Sequence, residues 1–121
     1  GVNIMGMTVQ NNGSALQAFS NQILVSSNNV ANSLSDEFKA DRAYNVEAKN
    51  GQVQTFISKT QASATLAEDP LKNDGSLKEL SNTNIAEEMI VQIQAQNGFD
   101  ANAKMIQTYD ETTGTLLDTI A

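Results

Sequence analysis

The stretch Ser26-Ser27-Asn28-Asn29-Val30-Ala31-Asn32-Ser33 decides how the N-terminal part of the chain folds. Asparagine is a poor helix former, because its side-chain amide competes with the backbone for hydrogen bonds. Three asparagines within five residues interrupt what is otherwise the apolar face of a helix. Upstream, Leu16, Phe19, Ile23 and Val30 recur three and four residues apart, with Ser26 in the remaining slot. That spacing predicts an amphipathic helix over 14–34. Asn12-Gly13 reads as a break before it and Ser14 as its N-cap. The asparagine run then reads as the exit from the helix, since Asn tolerates the left-handed conformation that ends helices.

Beyond residue 40 the period changes. Tyr44, Val46 and Ala48 alternate with Asn45, Glu47 and Lys49; Asn50-Gly51 follows, and then Gln52 to Ile57. Asn-Gly between alternating runs predicts a β-hairpin with arms at 42–49 and 52–60, both turn residues tolerating positive φ. The second arm extends naturally through the Thr/Ser/Ala-rich 60–66. Glu68-Asp69-Pro70 ends regular structure and 72–76 is a loop.

From Asn82 or Thr83 to Thr119 there is no proline, and Glu87 and Glu88 suit the positive end of a helix dipole. Either Asn82 or Thr83 serves as the cap. Apolar positions Ile85, Met89, Ile93, Phe99, Ile106, Leu116 and Leu117 form a stripe that Gln92 and Gln96 interrupt. At about 1.5 Å per residue, such a helix reaches roughly 50 Å. That is wider than a globule of 121 residues, so the helix must pair along its length with the first helix or with other copies. The predicted fold is mainly α with a small β part: long N- and C-terminal helices paired in a coiled-coil-like manner around a β-hairpin middle. Its segments are an N-terminal helical assembly segment at 1–38, a β-rich middle at 39–81 and a long helix at 82–121.

Composition excludes much chemistry. The chain has neither His nor Cys, so imidazole catalysis, thiolate chemistry and His or Cys metal sites are ruled out. It has no glycine-rich phosphate loop. Setting Gly75 as the turn glycine of a calcium loop puts Pro70, Lys72 and Ser81 at ligand positions, which rejects that reading. Neighbouring Glu87 and Glu88 point to different sides of a helix and make no carboxylate pair. The expectation is a protein with no enzymatic activity and no cofactor. Residues 67–121 carry ten acids against Lys72, Lys78 and Lys104, whereas 1–66 balance. An acidic half without a basic patch argues against nucleic acid and anionic membrane surfaces as partners. No stretch approaches the roughly 20 apolar residues of a membrane span. The N-terminus lacks the basic and apolar regions of a Sec signal.

Two ends of the chain resemble one family. Asn28-Asn29-Val30-Ala31-Asn32, followed by Ser35 and Phe38-Lys39, resembles the N-terminal signature of bacterial flagellar rod and hook proteins. Glu87-Glu88-Met89-Ile90 and Ala95-Gln96, then Phe99, Ala101-Asn102-Ala103-Lys104 and Ile106-Gln107-Thr108, resemble the C-terminal signature of that family. The short middle is most similar to proximal rod proteins, whereas the tail from Ile106 to Leu117 is closer to hook and distal rod proteins, so the resemblance does not select a subtype. Glu37 stands where the family usually has glycine. Asn97-Gly98 replaces a frequent Arg-Ala and adds a helix position costing about 1 kcal/mol relative to Ala.

The resemblance implies a structural subunit of the flagellar axis in the basal body. It implies export by the flagellar type III apparatus without a Sec signal, and helical self-assembly through paired terminal helices. Implied partners are other copies, other rod and hook proteins and the export apparatus, with no nucleic acid and no membrane insertion. Assembly residues so implied are Leu16, Phe19, Ile23, Asn28, Asn29, Ala31, Asn32, Phe38, Met89, Ile93, Gln96, Phe99, Asn102, Ile106 and Leu117. The alternative is another type III-exported helical self-associating protein or adaptor, which would show two helices without a β middle. An enzyme would have to gather carboxylates such as Glu47, Asp69 and Asp74 in one pocket.

Overall fold

A computed structural model describes residues 2–120, and the side chains of 11–112. The order is α1 (Val2–Ala31), β1 (Asp41–Glu47), β2 (Val53–Lys59), β3 (Leu66–Glu68), β4 (Leu77–Glu79) and α2 (Ile85–Ile120). About half the chain is helical, and two separate antiparallel two-stranded sheets make the fold mixed α/β rather than mainly α. No helix among the described residues is long and apolar enough to cross a membrane.

The first helix begins a full dozen positions before the expected 14. Asn12-Gly13 does not break it, and Ser14 is not its cap. The Ser14 hydroxyl donates back to the Asn11 carbonyl (2.9 Å) and accepts the Val53 N–H (3.0 Å), joining the helix to the hairpin. The helix stops at Ala31. Asn32 donates its side-chain N–H to the Asn28 carbonyl (2.9 Å), and Ser35 donates to the Asn32 Oδ1 (3.0 Å), so the asparagine run builds the exit turn. At the end of that turn Glu37 takes φ 61°, the left-handed region glycine adopts freely. For a residue with a Cβ this costs about 1–2 kcal/mol. The Glu37 N–H to Glu79 carbonyl bond (2.8 Å) holds it there.

The first hairpin pairs Asp41 with Lys59 and Glu47 with Val53. Its turn is a three-residue loop, closed by Ala48 N–H to Gln52 O (2.7 Å), in which Gly51 has φ 84°. Asn50 keeps a negative φ, so the expected two-residue turn is replaced by the longer loop that ends in a left-handed glycine. Strand β2 ends at Lys59 and does not run on to 66. Instead Leu66–Glu68 pairs with Leu77–Glu79, a three-residue ladder too short to leave a periodic trace in sequence. Sequence reasoning misses this second hairpin.

At the start of α2 the cap is Asn84, whose Oδ1 accepts the Glu87 N–H (3.2 Å). Asn82, an expected cap, is committed elsewhere. Its Oδ1 accepts the Ala40 N–H (2.7 Å), and its amide donates to the carbonyls of Thr60 and Ala62 (3.0 Å each). One side chain thus ties the chain on both sides of the first hairpin to the approach to α2. Nearby, Glu79 Oε1 accepts from Lys39 (2.5 Å) and from the Ala64 N–H (3.0 Å), and Lys78 pairs with Asp36 (2.7 Å). The Lys39 bond, and next the Ala64 N–H, hold the Glu79 carboxyl below its ordinary value of 4.5.

Helices α1 and α2 lie side by side and antiparallel: Ser26 meets Glu88 and Gln92, while Phe19 meets Gly98. Among the described residues the fully buried apolar side chains are all alanines, Ala18, Ala40 and Ala95. Small residues at a helix contact let the backbones approach closely. Gly98 takes this furthest, since a Cβ there would stand 2.5 Å from Cζ of Phe19. The glycine that looks like a defect in the helix is the socket for an aromatic ring.

Two outcomes follow. Gly98→Ala gains helix propensity of about 1 kcal/mol, yet crowds Phe19 by about 1–3 kcal/mol. Urea unfolding should show net destabilisation in the natural chain and stabilisation once Phe19→Ala has emptied the socket. The pH dependence of Glu79 follows from its lowered folded pKa: the unfolded chain binds the proton first as pH falls. Its contribution is therefore present above 4.5 and lost as pH drops through the lower folded value. Acid unfolding of Glu79→Gln should lose that part of the pH slope.

Candidate functional site

The largest fully buried side chains among the described residues are polar: Glu88, Asn29 and Ser26. They meet where the end of α1, the start of β1 and the first turns of α2 converge. Asn29, 0% exposed, donates to the Asp41 carbonyl (2.8 Å) and to Glu88 Oε1 (3.2 Å), and its Oδ1 accepts the Asp41 N–H (2.9 Å). Asp41 faces a non-hydrogen-bonded position of the ladder, so its N–H and C=O point away from β2. The Asn29 carboxamide takes both, as a neighbouring strand would.

Glu88 is 1% exposed, and a carboxylate buried to that degree is costly unless paired and hydrogen-bonded. Arg42 supplies the counter-charge. Its Nη1 donates to Glu88 Oε1 (2.9 Å) and its Nη2 meets Glu87 Oε2 (2.8 Å), so one planar guanidinium spans two successive carboxylates. Glu87 stays half exposed, which agrees with the two glutamates facing different sides of the helix. Ser26 completes the cluster by donating to the Glu88 carbonyl (3.1 Å) and accepting from Gln92 (3.1 Å). Every buried side-chain polar atom among the described residues has a partner.

The residues singled out in sequence distribute around this cluster. Asn29 is at its centre; Asn28 and Asn32 hold the exit turn, and Ala31 is exposed. Phe38 is half-buried, and its carbonyl accepts the Asn82 N–H (3.1 Å). Leu16, Phe19, Ile23, Phe99, Asn102 and Ile106 are half-buried, and Asn102 donates to the Gly98 carbonyl (2.9 Å). Met89 and Ile93, expected among the assembly residues, are 56% and 59% exposed. Together with Gln92 and Gln96 they line an open groove bordered by Ile23. The side chain of Leu117 lies outside the described residues.

Sequence reasoning missed Arg42, Glu88, Gln92 and Asn82 as parts of one framework. The available signal was the polar Ser26 in an apolar slot of α1, matched by polar Gln92 in the stripe of α2. Among the acids considered for catalysis, Asp69 accepts the Leu71 N–H and Asp74 the Ser76 N–H and hydroxyl, local turns within the β3–β4 loop.

The cluster joins the two halves of the sequence signature, Asn-Asn-Val-Ala-Asn on α1 and Glu-Glu-Met-Ile on α2. Residues 74–119 match the family model described as "Flagellar basal body rod FlgEFG protein C-terminal". This segment of the chain is similar to the C-terminal part of flagellar basal body rod proteins. The rod family is structural rather than enzymatic, and the match supports a structural role in the flagellar basal body. No curated protein matches the chain. The matched rod segment begins in the β3–β4 loop and takes in β4, Asn82, the cap and nearly all of α2.

Asn29→Ala leaves Glu88 with one partner fewer and strands two backbone groups of Asp41. At about 1–3 kcal/mol per buried orphan, the loss should come to about 3 kcal/mol. Asn28→Ala, on the exposed neighbour, should cost under about 1 kcal/mol. Urea midpoints of the two variants check the contrast.

Proposed function

We propose that the chain is a building block of the flagellar axial structure, exported by the type III route and self-assembling helically through its paired terminal helices. The observation that carries this reading is the buried bond between Asn29 and Glu88, which unites the two ends of the rod-like signature within one subunit. The protein has two β-hairpins between its helices, unlike the two-helix architecture of the alternative reading.

A coiled-coil-like contact between the helices is part of the proposal. In its support, the covered positions of α2 recur every seven residues: Glu88, Ala95, Asn102 and Tyr109, with Gln92, Phe99 and Ile106 between them. The seam is poor in large apolar groups, so it stabilises one subunit weakly and gains from repetition along a polymer. Residues 1–38 and 82–121 serve assembly in this reading, and 39–81 form the outer, β-rich part. The partners are further copies and other rod and hook proteins.

A tagged copy should be recovered in purified hook–basal bodies. Ile23→Asp should be exported at the normal level yet fail to incorporate, abolishing motility. Absence of the tagged natural chain from basal bodies, or normal motility of the variant, overturns the proposal.

A further inference from the structure

Asn-Gly occurs at 12–13, 50–51 and 97–98, and the three pairs lie in unlike settings. Asn12-Gly13 is inside α1 and Asn97-Gly98 inside α2, whereas Asn50-Gly51 forms the tip of the first hairpin. Such a pair is reactive because glycine has no side chain to keep its backbone nitrogen away from the preceding carboxamide. Ring closure between the two needs a rotation about the asparagine ψ that an intact helix does not permit.

Exposure alone does not separate the pairs, since Asn50 and Asn97 are both exposed. What separates them is the cost of freeing the backbone. Unwinding α2 at Asn97 would lift Gly98 from the ring of Phe19 and break the Asn102 amide bond to the Gly98 carbonyl (2.9 Å). Unwinding α1 at Asn12 would disturb Ser14, which bonds both the Asn11 carbonyl and the Val53 N–H. At the hairpin tip the Gly51 N–H has only its turn bond to Ala48 O (2.9 Å) to release. Opening an exposed turn is far less costly than opening a packed helix. There Asn50 Oδ1 already accepts the Gln52 N–H (3.1 Å), which meets the negative charge that develops on this oxygen as a ring closes.

The β3–β4 loop holds a built-in comparison. Asp74-Gly75-Ser76 repeats the geometry of the tip: a left-handed glycine, and an Oδ1 that accepts the N–H two residues on (3.0 Å). Its side chain is a carboxylate, held below its ordinary pKa by the Ser76 hydroxyl and then the Ser76 N–H, and its charge repels an attacking nitrogen.

We propose that Asn50 is a site of intramolecular deamidation and that the two helical pairs are shielded from it. Solvent base removes the Gly51 amide proton and the nitrogen attacks Asn50 Cγ. The N–Cγ bond forms, the Cγ–Nδ2 bond breaks, and the side-chain nitrogen leaves as ammonia. Water then opens the succinimide at either carbonyl, restoring the backbone N–H and leaving aspartate or isoaspartate at position 50. One water is consumed, one ammonia is released, and no oxidation or reduction occurs. The tip gains a negative charge beside Lys49, and the isoaspartyl product adds a backbone carbon to the loop that Ala48 and Gln52 close.

The test holds the folded natural chain in warm, mildly alkaline buffer made with heavy-oxygen water, so that only conversions during the incubation carry the label. Digestion and mass spectrometry then read each pair. Asn50 should convert at least about tenfold faster than Asn12 or Asn97. In concentrated urea the three rates should fall within about threefold of one another. Asn50→Gln, whose longer side chain closes a larger ring more slowly, should remove most of the isoaspartate that enzymatic methylation detects, with the far-UV spectrum unchanged. Conversion of Asn12 or Asn97 as fast as Asn50 in the folded chain, or an isoaspartate signal that Asn50→Gln leaves intact, overturns the proposal. A folded rate at Asn50 more than about tenfold below its own rate in urea does so too.

Discussion

The buried carboxylate of Glu88 is the constraint around which the subunit is organised. Its charge must be met, and the groups that meet it come from two elements: Asn29 from α1 and Arg42 from β1, while Ser26 of α1 bonds to its backbone. Removing Asn29 or Arg42 leaves the fully buried carboxylate of Glu88 with one partner fewer. A conventional core could slide by a residue at modest cost, because apolar contacts are not directional. A network of directed bonds cannot. The end of α1, the entry to β1 and the start of α2 are thereby fixed relative to one another, and the hairpin hangs from that point.

The rest of the helix contact is consistent with this division of labour. Alanines and a glycine bring the helices together, and the larger apolar groups remain half-covered or exposed. Such a subunit draws its geometry from polar bonds and leaves much of its apolar surface for other contacts. Exposed apolar surface of this kind suits a chain whose C-terminal part is similar to flagellar rod proteins.

The two helices and the first hairpin were legible because each carries many repeats of its period. The helix start was misread because Asn-Gly-Ser is a common break, while here Ser14 serves the hairpin and Gly13 stays in the helix. The α2 cap, expected at Asn82 or Thr83, falls one or two positions later because Asn82 and Asn84 look alike locally; only the packing of Ala40, Thr60 and Ala62 distinguishes them. Gly98 was read through propensity alone, and its purpose appears only once Phe19 is beside it.

Helix α1 also acts as a gauge for the hairpin. It grips the hairpin at both ends, through Asn29 on Asp41 and through Ser14 on Val53. Fifteen helical steps separate the two grips, about 22 Å at 1.5 Å each. Six strand steps separate Asp41 from Glu47, the partner of Val53, about 20 Å at 3.3 Å each. The two lengths agree to within one residue of strand. A single insertion in either element would rotate or displace one grip while the other held; only beyond Val53, toward the Asn50-Gly51 tip, can this hairpin lengthen without α1 measuring it.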